Sequence, residues 1–396
     1  MSESWLMAPI KIIKPRYDAM LLLASVALLV IGYIMVTSAS LHLGIKASGN
    51  IYHYPLRQII HIGMGLLMAA LLMMIKMDFW EQSGQWLFII GLLLLVIVLI
   101  PGFGVMVNGS VRWLQIAGVR IQVSEIVKLI SVIYMAGYVT RNQEAVRLSA
   151  YGLLKPLVLF SMACILLLLE PDFGSAVVLL TIAMGVMFLG GARLWQFIVL
   201  MALFVVLAWA LVYFSPYRLV RVTSFLDPWA DPLNSGFQLV QALIAFGRGE
   251  WLGVGLGGSI QKLAYLPEAH TDFLFSVLAE ELGLVGVWTV ITLYSILLWR
   301  AFAIGIRAEK VGMIFSAFIA YGLAILFGFQ AFVNMGVNMG ILPTKGLTLP
   351  LMSYGGGSMI VMCCALALLF RIHSEIEALT AKTSNMTVGK SEWLNA

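Results

Sequence analysis

Long apolar runs separated by short polar segments make up most of the chain. A bilayer core about 30 Å thick requires roughly 20 apolar residues in one helix to cross it. Ten stretches meet or approach that length, and we predict a transmembrane helix in each. They are residues 17–38, 58–75, 84–101, 122–139, 152–169, 173–191, 194–213, 273–299, 311–334 and 348–370.

The polar residues between these runs are unevenly distributed. The largest polar segment, about 214–272, separates the seventh and eighth predicted helices. The pattern therefore predicts an all-α polytopic membrane protein with about ten transmembrane helices and one large extracytoplasmic loop. We expect residues 1–16 to be a cytoplasmic N-terminal segment, 17–372 the transmembrane domain, and 373–396 a disordered cytoplasmic tail.

Composition excludes a soluble protein, since only 11% of the residues are charged and 61% are hydrophobic. The net charge of +5 does not call for a nucleic-acid partner, because Lys and Arg in short loops orient the chain and meet anionic headgroups. Their distribution predicts that both termini are cytoplasmic. The three cysteines lie in apolar segments, and we predict no disulfide and no metal site.

The strongest chemical signal lies in Pro267–Phe275, just before the eighth predicted helix. Glu268 and Asp272 would share a face if that helix began before them. Two close carboxylates in a poorly hydrated cleft raise one pKa, as a general base near neutral pH requires, whereas a helix N-terminus lowers it. Alternatively, Asp272 or Thr271 only caps the helix. His270 is expected to be a hydrogen-bonding neighbour rather than a catalyst.

A second group of charges, Arg112, Glu125 and Lys128, flanks the start of the fourth predicted helix. Glu125 and Lys128 are three residues apart, which favours a neutralising pair. The functional alternative is that Lys128 joins Arg112 in holding a diphosphate while Glu125 orients it. Arginine suits bidentate phosphate contacts, and lysine supplies a point charge.

Within the large loop, Gln238–Phe246 has helical periodicity and is predicted to lie in the membrane interface. The glycine-rich segment that follows, Gly247–Gly257, permits tight turns. It is not a dinucleotide-binding motif, because no strand precedes it.

Three further acids have open interpretations. Asp172 lies in a predicted hairpin, where a turn explains it well and a substrate role is the alternative. Glu280 and Glu281 fall near the head of the eighth predicted helix. An acid within the membrane is a functional candidate, yet it equally suits pairing with an arginine of the large loop.

Taken together, these stretches resemble the SEDS family, the polytopic proteins of bacterial shape, elongation, division and sporulation. The resemblance covers about residues 15–372 and is strongest in Pro267–Gly286 and Asn334–Ser358. The segment Gly340–Pro350 looks like the cell-division branch. The chain departs from the family's frequent pattern at Val123, usually proline, and at Gly357, usually serine, and neither departure removes a reacting group.

The resemblance implies a peptidoglycan glycosyltransferase that polymerises lipid II at the outer face of the bacterial inner membrane, at the division septum. It implies partnership with a class B penicillin-binding protein, a transpeptidase, and with other divisome membrane proteins. Asp272 matches the family's essential aspartate. Arg112, Glu125 and Lys128 match a second family motif.

We therefore expect an inverting transfer in which Asp272 takes a proton from the acceptor sugar and undecaprenyl diphosphate leaves. Arg112 and Lys128 are the first candidates to stabilise the developing charge. Further substrate-binding candidates are Glu268, His270, Arg248, Lys262, Lys345 and Ser353. No cofactor is predicted, although a divalent cation is an alternative source of positive charge.

Two other functions are compatible with the same residues. A lipid II flippase or transporter would also use about ten helices and intramembrane charges. A non-catalytic divisome scaffold would need none of the chemistry. The position of Asp272 distinguishes the first alternative, since a transporter requires its acids near the midplane of the membrane.

Overall fold

The structure is a computed structural model that describes residues 17–107, 110–116, 119–263, 265–344 and 346–394. Helices account for most of it. They are α1 (Ala19–Ser48), α2 (His53–Met73), α3 (Met77–Leu99), α4 (Val123–Arg141), α5 (Gln143–Leu148), α6 (Ala150–Leu169), α7 (Phe173–Leu189), α8 (Leu194–Tyr213), α9 (Pro216–Leu226), α10 (Phe237–Gly249), α11 (Leu274–Lys310), α12 (Ile314–Asn338) and α13 (Gly356–Leu394).

The chain is a multi-pass, predominantly helical membrane protein. Within the described residues, eight helices are long and apolar enough to cross a membrane, namely α1, α2, α3, α4, α6, α11, α12 and α13. The shorter apolar helices α7 and α8 occupy two more of the predicted positions. The total of about ten crossings stays a prediction.

The helices at the centre of the bundle are distinguished by their burial. In α4, α12 and α13, 83%, 78% and 89% of the most apolar 18-residue window is buried within the protein. In α2 the corresponding share is 11%, although α2 packs against α13 and α1. Much of the apolar surface of α2 therefore faces outward, towards lipid.

A small antiparallel sheet lies between α3 and α4 in this predominantly helical fold. Its strands are β1 (Gly104–Val107), β2 (Ser110–Ile116) and β3 (Val119–Gln122), in the order β1-β2-β3. Trp113 pairs with Gln122, and Leu114 pairs with Ile121. The β-branched and aromatic residues in this segment favour strands. The sequence nevertheless looks like a loop there, because the segment is long and polar.

Two boundaries near the C-terminus also differ from the prediction. Residues 348–355 are not helical, and α13 begins only at Gly356. The sequence predicts a disordered tail from residue 373, whereas in the structure residues 373–394 continue α13. Ile376 is buried, and Glu377 forms an ion pair with Arg307 of α11, so the first turns beyond the bilayer are held by packing and charge.

Helix α11 is interrupted at Gly283, where φ is 65° and ψ is −163°. The large loop satisfies the backbone groups that the break releases. Val254 N–H donates to Glu280 O (3.0 Å) and Gly255 N–H to Glu281 O (3.1 Å). In return, Leu284 N–H donates to Glu250 O at 2.9 Å. The large loop thus hydrogen-bonds directly to the backbone of a membrane helix. Inside a membrane, no water is available to satisfy such backbone groups.

Replacing Gly283 by alanine is expected to destabilise the protein by about 1–3 kcal/mol or more, because a side chain is strained in this backbone conformation. The added Cβ would also collide with the backbone of Trp251 and Gly253. Thermal unfolding in detergent measures the loss. Gly63→Ala is the matched control, since a Cβ at this helical position meets nothing within 4 Å. Equal stability of the two variants would contradict the interpretation.

Candidate active site

Asp272 lies in a tight turn immediately before α11. The N–H groups of Thr271 and Phe273 donate to Glu268 O at 3.1 and 3.2 Å, and Glu268 has a φ of 56°. Because α11 begins at Leu274, Glu268 and Asp272 are brought together by a turn and not by a shared helical face.

The capping alternative for Asp272 and Thr271 is wrong. The residue at the cap position of α11 is Phe273, with no side-chain cap bond. The Asn338 side-chain oxygen of α12 instead accepts the Ser276 N–H at 3.0 Å. The Asp272 carboxylate is therefore not used to begin the helix.

Two asparagines of α12 hold the main chain at Asp272. The side-chain amides of Asn334 and Asn338 each donate to Asp272 O at 2.9 Å. Asn334 also donates to Leu347 O at 2.6 Å, which ties the same point to the segment before α13. There, a Cβ added to Gly346 would lie 3.0 Å from Asp272 Oδ2, so the absence of a side chain leaves space for the carboxylate.

Desolvation raises the pKa of Asp272 to about 7, and the negative charge of Glu268 acts in the same direction. Arg112 opposes this increase, while Asp172 adds to it. The sequence left open whether burial, which raises the pKa of Asp272, or a helix terminus, which lowers it, would have the larger effect. Burial has the larger effect. Asp272 still retains partial exposure, and near neutral pH it is poised between its two protonation states.

Arg112 extends from β2 towards the hairpin between α6 and α7. Its Nε donates to Glu170 O at 3.1 Å, and its Nη2 donates to Pro171 O at 2.6 Å. These bonds hold the guanidinium close enough to Asp272 for its positive charge to lower the pKa of that carboxyl group. The structure therefore brings Arg112 and Asp272 together from segments 160 residues apart in sequence.

Asp172 has the structural role that its turn context indicated. It caps α7 by accepting the Ser175 N–H at 3.2 Å. Its other oxygen accepts a hydrogen bond from Ser124 Oγ at 3.0 Å, which joins the starts of α7 and α4. Neighbouring Glu170 is fully buried, and desolvation, together with Asp172, raises its pKa to about 8.

Glu125 and Lys128 form a buried ion pair in α4. Lys128 Nζ lies 2.7 Å from Glu125 Oε1 and 3.0 Å from Gln330 Oε1 of α12. Lys128 is completely enclosed. The geometry favours the neutralising pair over direct contact of Lys128 with a ligand.

Two cations of the large loop, Arg248 and Lys262, also form ion pairs with carboxylates. Arg248 pairs with Glu280 at 2.7 Å, as the alternative for that acid predicted, and Lys262 pairs with Glu281 at 2.7 Å. Both glutamates are fully buried, so these pairs neutralise the acids beside the break in α11. They favour a structural role for Arg248 and Lys262 over substrate binding.

The two remaining polar candidates differ in what the structure reveals. Ser353 is buried, and its hydroxyl accepts the Leu349 N–H at 2.9 Å within the turn before α13. Lys345 lies outside the described residues.

A cleft of about 720 Å³ lies beside the Asp272 turn. The turn contributes Glu268, His270 and Thr271, and the other lining residues come from α2, β2 and the start of α13. They are Tyr54, Arg57, Ile60, His61, Met64, Trp113, Gln115, Tyr354, Gly355 and Gly356.

His270 contributes to the cleft as part of an aromatic group. Its ring centroid is 4.9 Å from that of Tyr54 and 5.3 Å from that of Tyr354. Sequence reasoning missed Tyr54, Arg57 and Tyr354 as site residues. The available signal was a polar and aromatic face on an otherwise apolar helix, at Tyr54, Arg57 and His61.

A bundle of apolar helices with a desolvated carboxylate and a cleft beside one helix end defines a polytopic membrane protein with a candidate catalytic centre. The chain belongs to the FtsW/RodA/SpoVE family of cell cycle proteins, whose sequence profile matches residues 19–378. It is 63% identical over 362 residues to a probable peptidoglycan glycosyltransferase FtsW of Methylomonas methanica, covering 91% of this chain and 93% of the relative. The corresponding protein of Methylococcus capsulatus is 58% identical, with 91% of each chain covered.

Solved structures have the same fold. A chain from a peptidoglycan synthase complex that coordinates polymerization and crosslinking matches with a TM-score of 0.74 and 32% identity, covering 91% of this chain and 98% of that one. The rod shape determining protein RodA of Thermus thermophilus matches with a TM-score of 0.66 and 28% identity, over 90% and 96% of the two chains.

The Lys128→Met variant is expected to lose about 3–5 kcal/mol of stability, because it leaves the Glu125 carboxylate buried without its cation. The double variant Glu125→Leu/Lys128→Met should recover much of that loss, since neither charge is then left alone. Unfolding of the three proteins in one detergent provides the comparison. A single variant as stable as the wild type would contradict the structural interpretation of the pair.

Proposed function

We propose that this protein is a peptidoglycan glycosyltransferase that polymerises lipid II, with Asp272 as the general base. The observation that carries the proposal is the Asp272 carboxylate itself, whose pKa is raised to about 7 in a turn that borders a large cleft. The names of the close relatives support the reaction class. The chemistry below describes how the geometry would serve it.

In the proposed step, the 4-hydroxyl of the acceptor sugar attacks the anomeric carbon of the lipid-linked donor strand. A glycosidic C–O bond forms as the bond from the anomeric carbon to the diphosphate oxygen breaks. Asp272 accepts the hydroxyl proton, and undecaprenyl diphosphate leaves with the bonding electrons. General base catalysis of this kind contributes roughly 10²–10⁴-fold in rate.

The environment of Asp272 suits a base that is regenerated after each transfer. A carboxylate with an ordinary pKa is a weak proton acceptor, whereas one with a pKa near the working pH combines basicity with a useful ionised fraction. The fixed main chain at Asp272, bonded to Asn334 and Asn338, would keep its side chain in position. Arg112 supplies positive charge nearby.

The proposed setting is the bacterial inner membrane at the division septum, with both termini in the cytoplasm and the cleft on the outer side. The proposed partner is a class B penicillin-binding protein, a transpeptidase that crosslinks the strands. Supporting this pairing, one structural relative belongs to a peptidoglycan synthase complex that coordinates polymerization with crosslinking. Lipid tails can remain among the helices while their sugars reach the cleft.

Asp272→Asn is expected to abolish lipid II polymerisation while preserving the fold, because the amide cannot accept the proton as a carboxylate does. Purified protein with its transpeptidase partner is assayed for glycan strands, and thermal unfolding checks stability. Asp227→Asn, an exposed aspartate of the same large loop, should polymerise normally. Normal strand synthesis by Asp272→Asn would rule out the general base.

The pH dependence of polymerisation is expected to follow Asp272. A base must be ionised, so kcat/KM should rise with pH to a plateau, with a midpoint near 7 that matches the pKa of Asp272. Glu268→Gln removes a negative charge that raises this pKa, so the midpoint should move to lower pH. An identical midpoint in the two proteins would show that Glu268 does not influence the base.

A further inference from the structure

One face of α2 forms a wall of the cleft. Tyr54, Arg57, His61 and Met64 all line it, and their spacings of three, four and three residues place them on one side of a helix. With a rise of about 1.5 Å per residue, Arg57 and Met64 are separated by roughly 10 Å along the axis. Along the wall, Tyr54 and Arg57 lie near the start of α2, His61 lies about one turn further on, and Met64 follows it.

Arg57 is the cation within this wall. It is exposed, and no ion pair joins it to a carboxylate among residues that the structure describes. It lines the cleft together with Tyr354, and its charge opposes the increase that desolvation causes in the pKa of that tyrosine. The guanidinium thus acts on the interior of the cleft and keeps donors for a ligand.

The other expected phosphate-binding cations that the structure describes have different partners. Lys128 is enclosed with Glu125 and Gln330, and Arg248 and Lys262 pair with Glu280 and Glu281. Arg112 directs two of its nitrogens at backbone carbonyls. Arg57 differs from these in combining exposure, a position on the cleft wall and the absence of a described acidic partner.

We propose that Arg57 binds the diphosphate of the lipid-linked saccharide, an assignment that rests on the proposed function. The ligand has three parts in the order prenyl chain, diphosphate, sugar. The cleft presents apolar Ile60 and Met64 on the side towards the middle of α2 and Arg57 closer to its start, with His61 between Met64 and Arg57. The ring group of Tyr54, His270 and Tyr354 lies beside Arg57 at the start of α2. Arginine forms bidentate contacts with phosphate oxygens.

The outward-facing apolar surface of α2 supports the same orientation. Ile60 and neighbouring Ile59 are exposed, and little of the helix is buried in the bundle. A prenyl chain can therefore lie along α2 in contact with membrane lipid while its diphosphate reaches Arg57. This arrangement keeps the charged group at the end of the helix nearest Asp272 and the hydrocarbon within the bilayer.

The test measures binding of undecaprenyl diphosphate to the full-length protein in nanodiscs. Arg57→Ala should weaken binding roughly 10-fold or more, the scale of a lost charge-assisted contact. Arg57→Lys should recover part of the affinity by its charge, and Lys46→Gln, which removes an exposed cation near the end of α1, should bind as the wild type does. Unchanged affinity in Arg57→Ala would overturn the proposal.

Two further ligands distinguish the source of the phosphate. Undecaprenyl monophosphate should bind more weakly than the diphosphate to wild type and lose less on Arg57→Ala. An excess of phosphatidylglycerol in the nanodisc should not displace the diphosphate. Displacement by phosphatidylglycerol, with equal losses for all three ligands, would identify Arg57 as a general contact for lipid headgroups and overturn the proposal.

The proposed role of Arg57 in binding and the proposed role of Asp272 in catalysis can be contradicted independently. Asp272→Asn should bind undecaprenyl diphosphate normally without polymerising lipid II. If Asp272→Asn polymerised lipid II, Asp272 would not be the general base, and if the wild type with its partner did not polymerise it, the proposed function would fail. In both cases the binding measurements would still decide the role of Arg57. If Arg57→Ala proved unstable in thermal unfolding, Arg57→Gln, which retains a polar side chain but not its charge, provides the same comparison.

Discussion

The structure depends most on how it satisfies backbone and charge inside a membrane helix. The break at Gly283 releases carbonyl and amide groups next to two fully buried glutamates, in a region where water cannot compensate either. The large loop satisfies the backbone and neutralises the charge. Residues 250–255 complete the hydrogen bonds, and Arg248 and Lys262 neutralise the acids. This joint connects the loop, the first turns of α11 and the Asp272 turn into one assembly.

The candidate site is a product of that assembly and of the buried centre of the bundle. Asparagines of α12 hold the Asp272 main chain. Two backbone carbonyls of the hairpin between α6 and α7 accept hydrogen bonds from Arg112. Each of these groups comes from a rigid element, so the carboxylate can remain desolvated without collapsing onto a neighbouring cation. Its raised pKa is a consequence of the surrounding architecture more than of its immediate sequence neighbours.

The sequence predicted those features that depend on local composition. Apolar run length located the spans, the periodicity of Gln238–Phe246 located α10, and the crowded acids located Asp272. It missed Arg57, because an arginine near the end of a membrane helix is usually explained by its effect on the orientation of the chain. Only the tertiary structure places α13 and β2 on the other side of the cleft. It also could not choose a partner for Lys262, since the ion pair with Glu281 depends on a distance set by tertiary packing.

One consequence follows from the length of α13. The helix starts at the wall of the cleft, at Gly356, and continues without interruption to Leu394, a rise of roughly 58 Å at 1.5 Å per residue, close to twice the thickness of a bilayer core. A continuous helix resists bending and stretching over such a span. The rim of the cleft and the far end of α13 are therefore parts of one continuous helix, so the position of one end constrains the position of the other.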